Sequence, residues 1–264
     1  MEYRRVFQLR RYPLAAIKRM RELAPDATLN DVVLTLIGGG LRRYLAARGE
    51  RHDLDLIAVC PVNLREDKVG NDSRLGNNIS LMQVNLHTRS ARPAQRLAGV
   101  VTTTTAAKLQ QKASTAKELI ALSKNAPNLL LAAGTQLAAR AAFRSGSNMR
   151  LSNCIITNVP GPQEPLYFMG ARLEIFTGVA PISPGSGPTF PVTSYCGQLC
   201  ISFTGCPAWI EDPQQLAECL DDSYAEMLAA TDRLGTARKP ASRVTRKGSA
   251  RPKKSVAKSR RERR

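Results

Sequence analysis

The run Ser152-Asn-Cys-Ile-Ile-Thr-Asn-Val-Pro-Gly-Pro162 constrains this chain more than any other eleven residues. Cys154 to Asn158 is a short, β-branched stretch and predicts a strand that ends at Asn158. Pro160 and Pro162 each fix φ near about −65°, and Gly161 between them is free to take positive φ. The strand therefore passes into a turn of one shape. A stiff turn at a strand end is a common place for a chain to display polar groups to a ligand.

The rest of the chain supplies the layers around that strand. Arg5 to Leu9 alternates like a strand, Pro13 suits a first helical position, and Leu14, Ile17 and Met20 share one helical face. Thr28 is an N-cap for a helix running to about Arg48, with Gly49 as its stop. Gly38, Gly39 and Gly40 sit inside that helix at roughly 1 kcal/mol each, which predicts a very close neighbouring backbone. Leu54–Leu64 and Ile79–Leu86 read as strands around a polar loop. A polar helix is predicted from Pro93 to about Lys124, and a shorter Leu/Ala-rich one over roughly 127–143.

Leu173–Val179, Thr189–Tyr195 and Leu199–Phe203 read as strands, the last two a hairpin through Cys196-Gly-Gln198. Asp212-Pro starts a final helix reaching about Leu234. The order predicts an α/β fold, a mixed β-sheet of five to seven strands layered with helices. No internal repeat is present. Residues 1–235 read as one folded domain and 236–264 as a disordered tail, because its Lys/Arg/Ser/Ala/Pro mixture has too little apolar surface to fold.

Charge follows the same boundary. The chain of 264 residues carries +18, and the last 29 residues hold thirteen Lys/Arg against one acid, leaving a mildly basic body. The six cysteines show no C-x2-C pair and no spaced histidines, which argues against structural zinc. Four lie in or beside apolar runs, as buried reduced thiols of a cytoplasmic protein do. Met1-Glu-Tyr-Arg-Arg leads into no apolar signal region, and the apolar-leaning 128–143 stretch is too short and interrupted to span a bilayer. The expectation is a protein that is soluble or peripheral.

Catalytic chemistry is sparse. His52 and His87 are the only histidines, and neither has a partner at metal or relay spacing. His52 follows a helix end, and His87 closes a strand and is expected to be exposed. There is no G-x-S-x-G, no phosphate-binding loop and no dinucleotide fingerprint, so no catalytic residue and no metal ligand is assigned. Asn30-Asp31 at a helix start is the more suggestive pair. Capping accounts for it, and so does a role in fixing a neighbouring loop or ligand.

Several motifs agree in order and spacing: Thr28-Leu-Asn-Asp-Val-Val-Leu34 with Leu41-Arg-Arg-Tyr-Leu45, Pro61-Val-Asn-Leu-Arg65, Gly76-Asn-Asn-Ile-Ser80, Thr157-Asn-Val-Pro-Gly-Pro-Gln-Glu-Pro-Leu-Tyr167 with Gly170-Ala-Arg-Leu173, and Ser194-Tyr-Cys-Gly-Gln-Leu199 before the Asp212-Pro helix. Over roughly residues 4–232 they resemble the C-terminal half of the bacterial wax ester synthase/diacylglycerol acyltransferase (WS/DGAT) family. That resemblance implies one half of the two-lobed CoA-dependent acyltransferase fold, with a substrate tunnel between the lobes. It also implies transfer of an acyl group from acyl-CoA to diacylglycerol or a long-chain alcohol, with acyl-CoA as substrate and no cofactor.

The family's general base is a histidine of an H-H-x-x-x-D-G motif in the N-terminal half, and this sequence contains no such motif. By position, Asn30 and Asp31 match the family's N-D pair beside the acyl-CoA channel, and Thr157 and Asn158 stand at its Ser-Asn before Val-Pro-Gly, here Val159, Pro160 and Gly161. Gly185-Ser-Gly-Pro-Thr-Phe190 departs from the usual Gly-x-x-Leu-Asn-Ile, and Pro188 is expected to remove a strand donor from that tunnel wall.

The resemblance thus implies a lobe inactive by itself, either a fragment or one subunit completed by a separate N-terminal lobe or a dimer partner. The tail suits either anionic membrane or a purely solubilising role with no partner, so the expectation is a cytoplasmic protein, peripheral at the inner membrane or lipid-droplet surface where the tail binds. A non-catalytic binding protein that uses the tail on membrane or nucleic acid is the competing reading. The tail has neither an aromatic residue for base stacking nor an apolar face for insertion, so its binding is expected to be diffuse and salt-sensitive, and the resemblance to a lipid-synthesising family favours membrane over nucleic acid.

Overall fold

The structure is a computed structural model that describes residues 4–50, 53–63, 79–113, 152–182 and 187–238. Six strands form one mixed sheet: β1 (Val6–Pro13), β2 (Ile57–Asn63), β3 (Ile79–Asn85), β4 (Cys154–Pro160), β7 (Thr189–Tyr195) and β8 (Gln198–Gly205). A two-residue pair, β5 (Tyr167–Phe168) and β6 (Ala171–Arg172), stands apart. The sheet order is β1-β8-β7-β4-β2-β3, with β4 parallel to both β7 and β2 and the other pairs antiparallel. Among the described residues the helices are α1 (Leu14–Arg19), α2 (Leu29–Ala47), α3 (Pro93–Ala113) and α4 (Pro213–Arg238), with a 3-10 turn at Met20–Leu23.

The α/β expectation holds, and its boundaries shift for physical reasons. The first strand runs on to Pro13, which closes β1 and precedes α1. Its lack of a donor is harmless at a strand end. Leu14, Ile17 and Met20 are all buried, as their spacing requires. Thr28 caps α2 through a reciprocal box with Asp31, and Gly49 ends it at φ +68°. Asp212 Oδ1 accepts from Gln215 N at 2.9 Å and caps α4. The helix over 127–143, the end of the Pro93 helix and the 64–78 loop lie outside the described residues.

Strand periodicity divides the sheet into two faces. The helical face carries Tyr12, Leu199, Ile201, Phe203, Phe190, Val192, Ile156, Cys154, Ala58, Cys60, Met82 and Val84, which with α2 and α4 make the core. Tyr12 stacks on Tyr224 of α4 at 4.7 Å, and its hydroxyl donates to Asp221 at 2.9 Å while Arg10 Nε donates to the other oxygen at 2.8 Å.

On the opposite face, residues 173–180 lie across β7 and β8, and the strand expected at Leu173–Val179 is not formed. Hydroxyls of the sheet capture its carbonyls instead: Tyr195 donates to Leu173 O (3.0 Å), Thr193 to Phe176 O (2.7 Å) and Ser202 to Gly178 O (2.7 Å). Side chains meet the backbone demand that a ladder would otherwise fill. Over β4-β2-β3 this same face leaves Val159 and Leu81 exposed.

The three glycines of α2 sit where the molecule is tightest. A Cβ on Gly38 would lie 3.0 Å from Leu86 O, and one on Gly40 would lie 3.2 Å from Leu220 Cα. These two meet the expectation of a close backbone. Gly39 differs, because the groups against it are Ser223 Oγ and the Arg96 guanidinium. Arg96 is 1% exposed. Its Nε donates to Thr35 O (3.3 Å), its Nη1 donates to Ser90 O (2.9 Å), and its Nη2 lies 3.5 Å from a Glu226 oxygen. Burial lowers its pKa from the ordinary arginine value, and Glu226 opposes that.

Cys60, Cys154, Cys200 and Cys219 are buried free thiols, while Cys196 and Cys206 are half-buried. Burial pushes the Cys60 thiol up to about 12 and raises Cys154 as well. At pH 8 a thiol reagent is expected to label Cys196 and Cys206 at least about 100-fold faster than Cys60 and Cys154. Mass-spectrometric mapping of labelled sites reads this directly, and equal rates at all four would contradict the packing.

Candidate functional site

The C-terminal ends of β4 and β7 meet the N-terminus of α2 at one end of the sheet. Asn158 Nδ2 faces Asn30 Oδ1 at 3.5 Å across 128 positions of sequence. Asn30 is half-buried and Asn158 exposed, so amide groups remain available at the surface beside the helix N-terminus. Asp31 points inward and is 1% exposed. Its carboxylate accepts from Thr28 N (2.8 Å), Thr28 Oγ1 (2.6 Å) and Thr104 Oγ1 (2.8 Å). Asp31 thus ties α3 to the start of α2. Asp31 therefore caps α2 and holds a neighbouring helix, and Asn30 carries the displayed amide.

Thr157 and Asn158 point to opposite faces, because side chains alternate along a strand. Asn158 is on the helical side, near Asn30. Half-buried Thr157 shares the other face with exposed Val159. The strand does not stop at Asn158 as expected: the ladder with β7 continues through Pro160, paired with Ser194. With β2, by contrast, β4 pairs only at Cys154 and Ile155.

The turn beyond is held by the β7–β8 hairpin. Gly161 N donates to Ser194 Oγ (3.3 Å), and Gln163 Nε2 donates to Gly161 O (3.0 Å) and Ser194 Oγ (3.2 Å). Gly197 N donates to Gln163 Oε1 (3.2 Å). Gly161 is not among the residues with positive φ. It must be glycine because a Cβ would run into Ser194 O and lie 3.0 Å from the Phe176 ring. Cys196 and Gly197, at φ +44° and +76°, form the two-residue turn that brings these partners into place. Sequence reasoning misses Gln163, Ser194 and Thr104. Their roles depend on contacts between distant elements.

Pro188 lies one residue before β7, so no ladder donor is lost, and its carbonyl accepts from Ile155 N at 3.0 Å. Gly185 and Ser186 lie outside the described residues, as does His52. His87 is half-buried, contrary to expectation. Its ring packs where a Cβ on Gly99 would lie, and Nε2 is 3.0 Å from Thr103 Oγ1. Among the described residues no cluster of three or more His, Cys, Asp or Glu could hold a metal.

Residues 75–228 match the WS/DGAT C-terminal domain. The chain belongs to that family. A protein of Mycobacterium tuberculosis H37Rv named diacylglycerol O-acyltransferase Rv3480c is 34% identical over 231 residues, 88% of this chain and 45% of that protein. The diacylglycerol O-acyltransferase Tgs4 of the same strain is 32% identical over 81% of this chain and 43% of its own. The solved wax ester synthase/diacylglycerol acyltransferase of Marinobacter aquaeolei VT8 superposes with a TM-score of 0.63 at 24% identity, covering 86% of this chain and 49% of that one. The fold is one lobe of a WS/DGAT protein. The chain spans about half the length of the curated relatives it matches.

Proposed function

We propose that this WS/DGAT lobe serves an acyl-CoA-dependent O-acyltransferase that makes triacylglycerol or wax ester from diacylglycerol or a long-chain alcohol. Family membership, with the Asn30–Asn158 contact at the family's motif positions, carries that reading. Asn30 and Asn158 border the acyl-CoA and acceptor channel where it opens at the sheet end, Thr157 lines it from the opposite face toward the docking lobe, Asp31 positions Asn30, and Pro160 and Gly161 hold the channel's rim. The general base that takes the acceptor's hydroxyl proton comes from an H-H-x-x-x-D-G motif on another lobe. Acyl-CoA is a substrate, and no cofactor is required.

That lobe docks on the sheet face where Val159 and Leu81 are exposed. Residues 1–235 act as the acyltransferase domain, with α4 running three residues past that boundary to Arg238. The basic 236–264 tail holds the protein at an anionic membrane or lipid-droplet surface. Among the described residues no helix is long and apolar enough to cross a membrane.

The test is product formation from palmitoyl-CoA with dioleoylglycerol or hexadecanol, using this chain fused behind a WS/DGAT N-terminal half. Triacylglycerol or wax ester is expected, and Asn158→Ala is expected to lower kcat/KM about tenfold, the loss of one polar contact of roughly 1.4 kcal/mol. A folded fusion that makes neither product overturns the reading.

A further inference from the structure

The β5–β6 hairpin is the most exposed apolar feature of the described molecule. Tyr167, Phe168 and Met169 are 66%, 79% and 93% exposed, and Leu166 beside them is also exposed. A two-strand hairpin of this size is marginal in water, so something fixes its shape. At the tip, Met169 and Gly170 take φ +49° and +83°, the twist of a tight two-residue turn. At the base, Leu173 N donates to Leu166 O (2.8 Å), and the Tyr195 hydroxyl bridges the two strands. It accepts from Leu166 N (2.8 Å) and donates to Leu173 O (3.0 Å). The result is a preorganised apolar finger.

Its position suggests what covers it. The finger stems from the loop after Pro160, at the sheet end that holds Asn30 and Asn158. The C-terminal part of α4 reaches the same end, where Asp232 pairs with Arg19 at 2.6 Å just before the 3-10 turn leading to α2. α4, on the helical side of the sheet, thus runs toward the finger's end, and the net +12 of residues 236–264 follows it in sequence. An apolar insertion beside a polybasic segment is the pair of signals that stable, reversible attachment to an anionic lipid surface requires. Tyr167 adds a ring suited to the headgroup boundary.

We propose that Tyr167, Phe168 and Met169 insert into an anionic lipid surface while the tail supplies the electrostatic attraction. The candidate site then faces the phase in which an apolar acceptor dissolves. This deepens the acyltransferase reading and rests on it only for the identity of that acceptor.

The test uses the full chain and vesicles of phosphatidylcholine with or without phosphatidylglycerol, with no acyl-CoA present, so a failure of acyl transfer leaves it untouched. Trp209 is the only tryptophan. In a Trp209→Phe background, Phe168→Trp is expected to shift its emission to the blue on anionic vesicles and to be quenched by brominated lipid. Tyr167→Ser/Phe168→Ser/Met169→Ser is expected to weaken binding on the order of 30-fold, and 1 M salt to release the protein. Four results would overturn the proposal: no binding, binding that leaves the introduced indole's emission unshifted and unquenched, unchanged affinity of the triple variant, or protection of the finger only by an added lobe or second copy.

Discussion

Gly39→Ala is expected to lower the unfolding free energy by about 2 kcal/mol, although alanine is about 1 kcal/mol better than glycine inside a helix. The added methyl group has nowhere to go. It would fall against Ser223 Oγ, which is held by donation to Leu36 O at 2.9 Å, and lie 2.6 Å from the buried Arg96 Nη2. Either α4 moves away from α2 or the guanidinium leaves its carbonyls. Urea unfolding followed by far-ultraviolet circular dichroism reads the cost, and a stabilised Gly39→Ala would show that α2 and α4 are not in this contact.

Arg96→Ala carries the second large effect, about 3 kcal/mol or more. The substitution leaves a cavity between α2, α3 and α4 and strips donors from Thr35 O and Ser90 O. Glu226 retains Arg43 at 3.4 Å and is partly exposed, which holds the loss to the lower end of the range for a broken buried pair. Arg96→Met fills most of the volume and is expected to cost less. Because Gly39 and Arg96 touch, the two substitutions should not add. The double variant is expected to be more stable than the sum of the singles implies. Strict additivity would separate the two residues.

Much of the architecture can be read from local patterns. Thr28 with Asp31 three residues later marks a helix start, the 3.6-residue spacing after it marks a buried helix, and Cys196-Gly197 between two β-branched runs marks a hairpin. Each signal acts over a few residues, so it survives the tertiary structure. The segment 173–179 misleads because it is apolar and β-branched, yet its hydrogen bonds run to hydroxyls of strands later in the chain. Strand propensity records a half-buried extended stretch and does not record which groups satisfy it.

The site divides along the same line. Asn30, Asn158 and the Pro-Gly-Pro turn stand out by composition, and the structure brings the two asparagines together. The opposite facing of Thr157 follows from alternation once β4 is known to be regular. The inward turn of Asp31 toward Thr104, and the reason Gly161 must lack a side chain, depend on neighbours 73 and 33 residues away. Arg96 gives no signal at all, since a charged residue in a polar helix reads as solvated.

We propose that this WS/DGAT lobe works only when completed by a histidine-bearing lobe. Release of free CoA from palmitoyl-CoA with dioleoylglycerol tests it most directly, measured for this chain alone and mixed with a separately produced WS/DGAT half bearing H-H-x-x-x-D-G. The chain alone is expected at background. The mixture is expected at least about 100-fold above it, with the gain lost when the added half's histidine is replaced by alanine. Turnover by the chain alone at the rate of the mixture, or a mixture that binds as a complex yet stays at background, would contradict the account.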